Sequence, residues 1–495
     1  MRDLVIGIDA STTAIKAVAM RRDGTEVAQT RATYPLSSPA PGHFEQDAEH
    51  WWTALLEALS ALARIVDPAR FAGLSIAHQR ETFTLINAAG KPLIPAILWL
   101  DERARPQVAR LSEELGRDTI REWSGKPPDP TPALYALAWL KEHRSDLLRS
   151  AHAIVDVHAF LVRRLTGELV TSTASADPLG IFSPVAGKWH PELVKAAGLT
   201  KEQLPRLVAP GELCGTLTPE TAGLTGLPAA LPIFAGAGDG QAAGLGMGVT
   251  EPGKAYLSLG SGVVSGMFSD RYVTSDAYRT LTAPISSGFM LETVLRSGMQ
   301  LADWAVRTLN AGSAAELEAL AKTVPPGAEG MMVLPYWAGV MNPYWDEAAR
   351  GVIIGAALHH KPAHIFRATL EGIAFEQAIA TAAMEKSCGV QATGFVAAGG
   401  GTNCRLLLDI MATVLDRPLS VSPVNEAAAL GGGMLAAMGA GWFASAGEAG
   451  LAMRMEAAET VYPVAKLGDF YRKKVAIYRD IYPATRDLHR RLLND

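Results

Sequence analysis

Short apolar runs alternate with turn-forming residues at the start of the chain. Residues 4–9 and 15–20 are predicted as two buried strands, and the turn Arg22-Asp23-Gly24 precedes a third strand over residues 26–30. The chain is therefore predicted to open with a β-meander whose first turn spans residues 9–13.

The rest of the first half contains one clear helical pattern and three strand patterns. Residues 47–65 carry apolar side chains at helical spacing behind Asp47, which is a suitable N-cap. The apolar runs at residues 71–77, 96–100 and 233–237 are predicted strands, and a helix of small residues is expected after the last of them. Alternating strands and helices indicate the α/β class.

The second half begins by repeating the opening pattern. Residues 254–259 and 263–268 are predicted strands joined by the turn Gly260-Ser261-Gly262. One such hairpin in each half predicts a duplicated domain.

Length and composition support two globular domains. The 495 residues exceed the usual size of one domain, about 100–250 residues. A boundary is predicted near residues 243–253, where glycine and proline cluster. The two domains are then residues 1–245 and residues 246–495, and the second ends in a mainly helical tail from residue 441.

Charge and cysteine content exclude several classes of function. The formal net charge is −5 and no lysine- or arginine-rich stripe is present, so no nucleic-acid partner is expected. The three cysteines (Cys214, Cys388 and Cys404) lack metal-ligand or redox spacing, which suits a reducing cytoplasm. We find neither a signal peptide nor a membrane-spanning run, so no membrane partner is expected.

The first turn brings a carboxylate together with three hydroxyl groups. Asp9 ends a predicted buried strand, and Ser11, Thr12 and Thr13 follow it. Hydroxyl and backbone N–H groups donate to phosphate oxygens, while a carboxylate holds a magnesium ion or its water ligands. The alternative is a turn rich in Asp, Ser and Thr that only caps itself.

Two glycine-rich turns in the second half are candidates for nucleotide contacts. Ser261, between two glycines, forms a second anion cradle or, alternatively, a plain tight turn. The three glycines at residues 399–401 follow an apolar run and precede Thr402 and Asn403, so a nucleotide could approach the backbone there. A glycine run alone is weak evidence, and the sequence contains no Gly-Lys-Ser/Thr P-loop signature and no Cys/His zinc cluster.

Asp239 is the candidate catalytic base. It lies between two glycines directly after the predicted strand at residues 233–237, and α/β sheets bind their ligands at the carboxyl ends of strands. The glycines would allow a substrate or phosphate to approach closely. The alternative is an aspartate that only caps the following helix.

A second polar group follows the strand at residues 71–77. Gln79, Arg80 and Glu81 come directly after His78, and Trp99 ends the next predicted strand, before Asp101. Arginine donates and glutamate accepts in fixed directions, which suits vicinal hydroxyls, and tryptophan offers an apolar face to C–H groups. These residues predict a sugar site. The alternatives are an exposed ion pair for Arg80 and Glu81 and a core position for Trp99.

Taken in order along the chain, these motifs resemble those of the FGGY carbohydrate kinases over essentially the whole length. The family's first phosphate motif is similar to Gly7-Ile8-Asp9 with residues 11–13 and Lys16. The family's base-carrying segment is similar to residues 238–243, and its second signature to residues 351–371. The other similar segments are residues 43–52, 334–336, 343–346, 399–401 and 426–431.

The resemblance implies an α/β, two-domain actin-like (ribonuclease H-like) ATPase fold with a cleft between the domains. It implies ATP and Mg²⁺ as cofactors, with Asp239 as the catalytic base and Asp9 as the metal-binding, catalytic carboxylate. Acceptor-binding residues would be Gln79, Arg80, Glu81, Trp99 and Asp239. Nucleotide-binding residues would be Ser11, Thr12, Thr13, Lys16, Gly260, Ser261, Gly262, Gly298, Gly400, Gly401, Thr402 and Asn403. A cytoplasmic enzyme is expected, and a homodimer is compatible with the resemblance.

The features that indicate the acceptor are mixed. The triplet Gln79-Arg80-Glu81 resembles the hydroxyl-binding triplet of glycerol kinases, although Thr131 stands where those carry a tyrosine and Ala136 replaces the lysine of the first family signature. Residues 98–103 and 297–298 resemble xylulokinases instead. We expect a ketopentose such as D-xylulose, with glycerol or another polyol as the alternative.

A different class of function is also compatible with part of the pattern. A non-catalytic actin-like ATPase or binding protein would share the two phosphate turns but would need neither a sugar pocket nor the Asp239 base. A pseudokinase is disfavoured because both Asp9 and Asp239 are present.

Overall fold

Two mixed sheets, one in each half of the chain, form the core of the molecule. The computed structural model describes residues 2–285, 287–310, 312–424, 426–454 and 456–494. The strands of the first half are β1 (Leu4–Ala10), β2 (Ala14–Met20), β3 (Glu26–Thr33), β4 (Glu45–Gln46), β5 (Phe71–His78), β6 (Phe83–Ile86), β7 (Ala96–Ile97), β8 (Ala153–Asp156), β9 (Val170–Ser172), β10 (Phe182–Ser183), β11 (Lys188–Trp189), β12 (Arg206–Val208), β13 (Leu213–Thr216) and β14 (Pro232–Gly238). Its helices are α1 (Ala48–Ile65), α2 (Arg105–Leu115), α3 (Arg117–Ser124), α4 (Ala133–His143), α5 (Ser145–Ser150), α6 (Val157–Thr166), α7 (Thr173–Ala176), α8 (Pro191–Ala196), α9 (Pro219–Thr225) and α10 (Asp239–Gly246).

The second half continues with shorter strands and several longer helices. Its strands are β15 (Lys254–Leu259), β16 (Val263–Ser269), β17 (Arg279–Thr282), β18 (Phe289–Leu295), β19 (Met332–Leu334), β20 (Val352–Ile354), β21 (Gly394–Ala398), β22 (Leu419–Val421) and β23 (Glu459–Val461). Its helices are α11 (Gln300–Thr308), α12 (Ala314–Thr323), α13 (Pro362–Cys388), α14 (Arg405–Leu415), α15 (Ala427–Gly439), α16 (Ala446–Ala452), α17 (Gly468–Tyr478) and α18 (Ile481–Asn494). Within the described residues, every helix is too short or too polar to span a bilayer.

The two large sheets share one strand arrangement. The first has the order β13-β14-β5-β1-β2-β3, and the second has the order β17-β18-β16-β15-β21-β22-β23. In each, an antiparallel hairpin (β1 with β2, β15 with β16) continues into two parallel neighbours (β5 and β14, β21 and β22). This repeat confirms the predicted α/β class and is the arrangement expected of the actin-like fold.

The opening elements form as the sequence pattern predicts. Every residue of β1 is buried, as expected for a central strand covered on both faces, and β1 pairs with β2 so that Asp9 lies opposite Lys16. Asp47 caps α1 by accepting the N–H of Glu49, and the buried face of α1, which includes Trp51, packs against the first sheet. The first sheet therefore presents Asp9 at the carboxyl end of its central strand.

The strand predicted at residues 96–100 is shorter in the structure. Only Ala96–Ile97 forms a strand, and it belongs to a small antiparallel sheet of order β4-β7-β6-β8. The chain then turns, because the N–H of Leu98 donates to the Phe44 carbonyl and the N–H of Asp101 donates to the Leu98 carbonyl. Trp99 consequently lies in a turn. The tail is mainly helical as predicted, but it also adds β23 to the second sheet.

Helix α15 crosses from the second half to pack on the first sheet. A Cβ added to Gly7 of β1 would lie 2.0 Å from the Ala429 carbonyl oxygen, and one added to Gly431 would lie 1.9 Å from the Ala242 carbonyl oxygen of α10. Glycine at these positions lets the backbone of α15 approach β1 and α10 closely. The domain boundary near residue 245 stays a prediction, and α15 links the two halves across it.

Candidate active site

Two of the three hydroxyl groups in the turn after β1 form hydrogen bonds within the protein. Ser11 donates its hydroxyl to the Ala14 carbonyl at 2.9 Å, which is the self-capping arrangement. Thr12 accepts the indole N–H of Trp99 at 3.1 Å, so Trp99 buttresses this turn from the side. Thr13 is exposed. The turn therefore leaves the Thr13 hydroxyl as the one most open to a ligand, and nucleotide contacts for Ser11, Thr12 and Thr13 stay predictions.

Asp9 carries a negative charge that its surroundings satisfy poorly. Its side chain is buried, and the nearest cation is Lys16, whose Nζ lies 3.9 Å away and also pairs with Glu426. Burial raises the pKa of the Asp9 carboxyl to about 7, Lys16 opposes that rise, and the charges of Asp239 and Glu426 add to it. A hard divalent cation bound by oxygen ligands would relieve this excess of negative charge. The donor set around Asp9 therefore fits Mg²⁺.

Asp239 is placed at the junction of a strand and a helix. It follows β14 as the first residue of α10, and its carboxylate accepts the N–H of Gly240 at 2.7 Å. The side chain is 41% exposed, and one carboxylate oxygen lies 3.0 Å from Nε of Arg80. Its surroundings raise the pKa of the Asp239 carboxyl by desolvation, and Arg80 opposes that rise. A substrate hydroxyl could therefore reach this carboxylate from the open side.

The glycines beside Asp239 make room for two charged side chains. A Cβ at Gly238 would lie 2.4 Å from Cγ of Arg80, and one at Gly240 would lie 2.7 Å from a carboxylate oxygen of Glu292. The sequence pattern predicts that these glycines admit a substrate or phosphate. In the structure their immediate neighbours are Arg80 and Glu292 instead, because both side chains converge on the Asp239 turn.

Arg80 and Glu81 are buried and pair with the second half of the chain. Nη1 of Arg80 donates to both carboxylate oxygens of Glu292 at 3.0 and 2.8 Å, and Nη1 of Arg279 donates to Glu81 at 2.8 Å. The exposed ion pair considered from the sequence is therefore wrong. Glu81 also has a φ of 59°, a left-handed conformation that costs about 1 kcal/mol or more for such a residue.

Arg279 and Glu292 are the charged residues that sequence reasoning missed. They lie directly opposite each other on β17 and β18, and Nη2 of Arg279 donates to Glu292 at 2.6 Å. A signal was present for Glu292, because it interrupts the apolar strand Phe289–Leu295. Burying a charge there requires a partner, although the sequence does not show which one.

Gln79 lies beneath the charged group. It is 1% exposed, its amide donates to Gln46, and its amide oxygen accepts the Thr82 hydroxyl. Asp101 is likewise occupied, since its carboxylate accepts from Arg103 and from the N–H of Phe44. Direct acceptor contact for Gln79 stays a prediction, and its amide is hydrogen-bonded to the side chains of Gln46 and Thr82.

The two glycine-rich turns of the second half lie side by side. Gly399, with a φ of 96°, approaches Leu259 at the end of β15, so the turn after β21 is next to the turn Gly260-Ser261-Gly262. Gly262 and Gly298 pack against each other, because a Cβ on Gly298 would lie 2.6 Å from the Gly262 carbonyl carbon. Ser261 is exposed at the tip of its turn.

Gly400, Gly401, Thr402 and Asn403 have different surroundings within the second turn. Gly401 packs on Leu259, whereas a Cβ on Gly400 would meet no atom of the described residues within 4 Å. Thr402 donates its hydroxyl to the Gly399 carbonyl at 2.7 Å, and Asn403 is exposed. Packing therefore explains Gly401 but leaves Gly400 open to a ligand. The nucleotide-binding role of all these residues stays a prediction.

Two other features of the molecule lie away from these turns. Glu329, His359 and His360 are close enough on the surface to share an ion, but Nδ1 of His360 accepts the N–H of Ala357, which leaves the proton on Nε2. A cavity of about 370 Å³, lined by Lys254 and other residues, contains none of the predicted site residues. We therefore place the candidate site at the Asp9, Asp239 and glycine turns.

Comparison with known proteins identifies the family. The family model described as the N-terminal domain of the FGGY family of carbohydrate kinases matches residues 4–246, and the model for the C-terminal domain matches residues 255–440. The chain is 28% identical to the xylulose kinase of Bacillus subtilis (strain 168), with 98% of each chain covered. It is 32% identical to the glycerol kinase of Trichlorobacter lovleyi, covering 89% of this chain and 90% of that one.

Solved structures confirm the fold. A ligand-bound xylulose kinase from Lactobacillus acidophilus superposes with a TM-score of 0.94 at 24% identity, covering 99% of both chains. A gluconate kinase from the same organism superposes with a TM-score of 0.92 at 25% identity, covering 97% of this chain and 98% of that one. The predicted two-domain actin-like fold is therefore confirmed.

Proposed function

Because the chain belongs to the FGGY family of carbohydrate kinases, we propose that it phosphorylates a primary hydroxyl of a neutral ketopentose, with D-xylulose as the first acceptor to test. Members of this family are phosphotransferases that use ATP and an alcohol acceptor. The non-catalytic actin-like alternative is therefore set aside. The choice of acceptor rests on the charges of the candidate site.

The observation that carries the proposal is the position of Asp239. Its carboxylate follows a buried parallel strand, is exposed on one side, and lies beside the buried Arg80 on the other. A general base needs to be reachable by the acceptor hydroxyl and to be ionised near neutral pH. The carboxylate of Asp239 is reachable because its side chain is 41% exposed. Desolvation raises the pKa of this carboxyl, and Arg80 opposes the rise by favouring the ionised form that a base needs.

The transfer follows from this placement. Asp239 takes the proton of the acceptor hydroxyl while that oxygen bonds to the γ-phosphorus, and the bond to the ADP oxygen breaks. A magnesium ion bound with ATP would supply positive charge at the phosphates, and Asp9 is the residue that would hold it or its water ligands. Lys16 and the exposed hydroxyls of Thr13 and Ser261 would orient the phosphate oxygens. Closure of the cleft would exclude water and limit ATP hydrolysis.

The charge balance around Asp239 supports a neutral acceptor. Arg80 and Arg279 are the cations that contact this group, and three carboxylates (Glu81, Glu292 and Asp239) pair with them. A sugar acid would bring a fourth carboxylate, and among the described residues that contact this group each cation already pairs with a carboxylate. A ketose or polyol needs only hydrogen-bond donors and acceptors, which buried Arg and Glu side chains supply.

Glycerol or another polyol is the second candidate. Arg80 and Glu81 follow Gln79 as in the triplet that resembles glycerol kinases, and glycerol kinases are among the relatives. Glycerol also fits the neutral charge balance. The two candidates differ in size, so the ratio of their kcat/KM values distinguishes them.

The experiment is a screen of acceptors with MgATP and the purified protein. We expect ADP formation to rise with D-xylulose or a related ketopentose well above the acceptor-free rate, to rise less with glycerol, and to stay at the acceptor-free rate with gluconate. Gluconate as the best acceptor would contradict the charge argument. No acceptor-dependent ADP formation with any sugar or polyol would contradict the proposed function.

A further inference from the structure

Strand β17 of the second half lies against the first half of the chain. One edge of β17 pairs with β18. From its other edge, the N–H of Thr280 donates to the Gly125 carbonyl at 2.8 Å, and the N–H of Thr282 donates to the buried Asp177 carboxylate. The edge strand of the second sheet is therefore hydrogen-bonded to the first half of the chain.

Arg279, the first residue of β17, extends this contact to the acceptor candidates. Its guanidinium bridges Glu81 at 2.8 Å and Glu292 at 2.6 Å, and Glu292 in turn binds Arg80. The side chains of these four residues are at most 8% exposed. Nε of Arg279 is buried without a hydrogen-bond partner among the described residues. This N–H group could donate a hydrogen bond to a hydroxyl of a sugar bound at the candidate site.

We propose that Arg279 is a specificity-determining residue of the acceptor site, which positions Glu81 from the opposite half of the chain. This inference rests on the proposed function, because it assumes that the acceptor binds beside Asp239. Glu81 has a left-handed backbone, so its side chain leaves the turn in an unusual direction. Arg279 fixes one carboxylate oxygen of Glu81 and leaves the other to accept a hydroxyl of the acceptor.

Electrostatics support this role for Arg279. Burial raises the pKa of the Glu81 carboxyl, and Arg279 is the first charge that opposes the rise. Without Arg279, Glu81 would bind a proton more readily and would become a donor where an acceptor is required. Lysine at this position would keep a positive charge but could not bridge two carboxylates in fixed directions.

The chain offers a matched control for a merely structural effect. Arg121 of α3 also joins the two halves, since its Nη1 lies 2.8 Å from the Asp276 carboxylate. This pair is partly exposed, and the ion-pair partners of Arg121 are Asp118 and Asp276 rather than any residue beside Asp239. Removing Arg121 therefore tests the loss of a bridge between the halves without removing a partner of Glu81 or Glu292.

The test compares Arg279→Met, Arg279→Lys and Arg121→Met with the wild-type chain on a panel of ketopentoses, pentitols and glycerol. For Arg279→Met we expect kcat/KM for the best acceptor to fall about 10- to 100-fold, because a buried carboxylate loses its partner. The loss should lie mainly in the acceptor KM, and the KM for MgATP should change less than about twofold. Arg279→Lys should recover part of the lost kcat/KM. In both variants the ratio of kcat/KM for the best acceptor to kcat/KM for the other acceptors should become smaller than in wild type.

The outcomes distinguish this inference from the function on which it rests. An unchanged acceptor preference in Arg279→Met, or in Arg279→Lys if the methionine variant does not fold, would overturn the inference while the wild type stays active. An equal loss in Arg121→Met would assign the effect to joining the two halves and would also overturn it. A wild-type chain that phosphorylates no member of the panel would overturn the proposed function, and this inference with it.

Discussion

At the residue scale, Arg80 is shared between two carboxylates of different roles. Nη1 binds Glu292, and Nε lies 3.0 Å from the exposed carboxylate of Asp239. The charge of Glu292 raises the pKa of Asp239, whereas Arg80 lowers it. The proton affinity of the proposed base therefore depends on Glu292 as well as on Arg80.

The Glu292→Gln variant tests this dependence. Removing the charge leaves Arg80 to stabilise the ionised form of Asp239, so the acidic limb of kcat/KM for the acceptor should move to lower pH. A shift on the order of one pH unit is expected for a buried charge at this distance. The measurement is the pH profile of wild type and variant with the same acceptor. An unmoved limb, or one that moves to higher pH, would contradict the assignment.

We expect the ionised carboxylate of Asp9 to lower the free energy of unfolding of the protein when no magnesium ion is bound. Its pKa rises from 3.8 to about 7 on folding, so the ionised carboxylate destabilises the folded state above pH 7 and has no such effect below pH 4. The free energy of unfolding of Asp9→Asn should therefore exceed that of wild type by an amount that grows as the pH rises from 4 to 7. The difference should reach up to about 4 kcal/mol. Chemical denaturation at pH 5 and pH 8 measures the difference.

The same variant should lose most of its activity. Asparagine cannot supply the negative charge that a magnesium ion requires, so turnover with MgATP should fall about 100-fold or more while acceptor binding by calorimetry stays within about threefold. An Asp9→Asn protein that is active, or one that is less stable than wild type at pH 8, would contradict the role given to Asp9.

The sequence predicted some of these residues and missed others for a physical reason. Asp9 and Asp239 each end an apolar run, which is a local pattern. The pairing of Arg80 with Glu292 joins residues 212 positions apart, and no local pattern indicates such a partner. The flanking glycines were predicted to admit a substrate or phosphate, but the groups that approach them are the side chains of Arg80 and Glu292.

At the element scale, α10 and α15 hold the candidate site between the two sheets. Asp239 begins α10, and α15 contacts both α10 and β1, which ends near Asp9. Displacement of α15 should therefore disturb both carboxylates. From the sequence, residues 426–431 were recognised only as a segment similar to the family, and no helix was predicted there. Nothing in the local pattern tells which sheet this segment covers.

Two neighbouring glycines of α15 provide a matched test. A Cβ at Gly431 would lie 1.9 Å from the Ala242 carbonyl oxygen, whereas one at Gly432 would have its nearest neighbours at 3.4 Å. Gly431→Ala should lower the free energy of unfolding by about 2–3 kcal/mol and reduce turnover. Gly432→Ala should be neutral or add up to about 1 kcal/mol, since alanine favours helix over glycine. Equal effects of the two substitutions in thermal denaturation would contradict this packing.

At the scale of the whole molecule, the repeated hairpin followed from the sequence, whereas the order of the strands in each sheet and the joining of the halves did not. A hairpin at residues 4–20 and another at residues 254–268 are local patterns, and both are present in the structure. The contacts of β17 and α15 with the first half depend on tertiary packing. The domain limits at residues 245 and 246 stay a prediction, and residues of α15 share one hydrophobic cluster with residues of the first half.

This joining predicts cooperative unfolding. Because α15 belongs to the second half yet covers the first sheet, neither half keeps its full core when the other unfolds. Thermal unfolding should follow a single transition with coincident far-UV and tryptophan signals, even though domains of this size commonly unfold separately. Two transitions separated by several degrees would show that the halves are independent.

The most direct test of the account is the turnover of Asp239→Asn with the best acceptor found in the screen. Asparagine keeps the shape of the side chain and cannot take the hydroxyl proton, so kcat should fall about 100- to 10,000-fold. Nucleotide binding by calorimetry and the thermal transition serve as controls for folding and should stay close to wild type. A folded Asp239→Asn protein that keeps nearly normal acceptor-dependent turnover would contradict the central claim that Asp239 is the base.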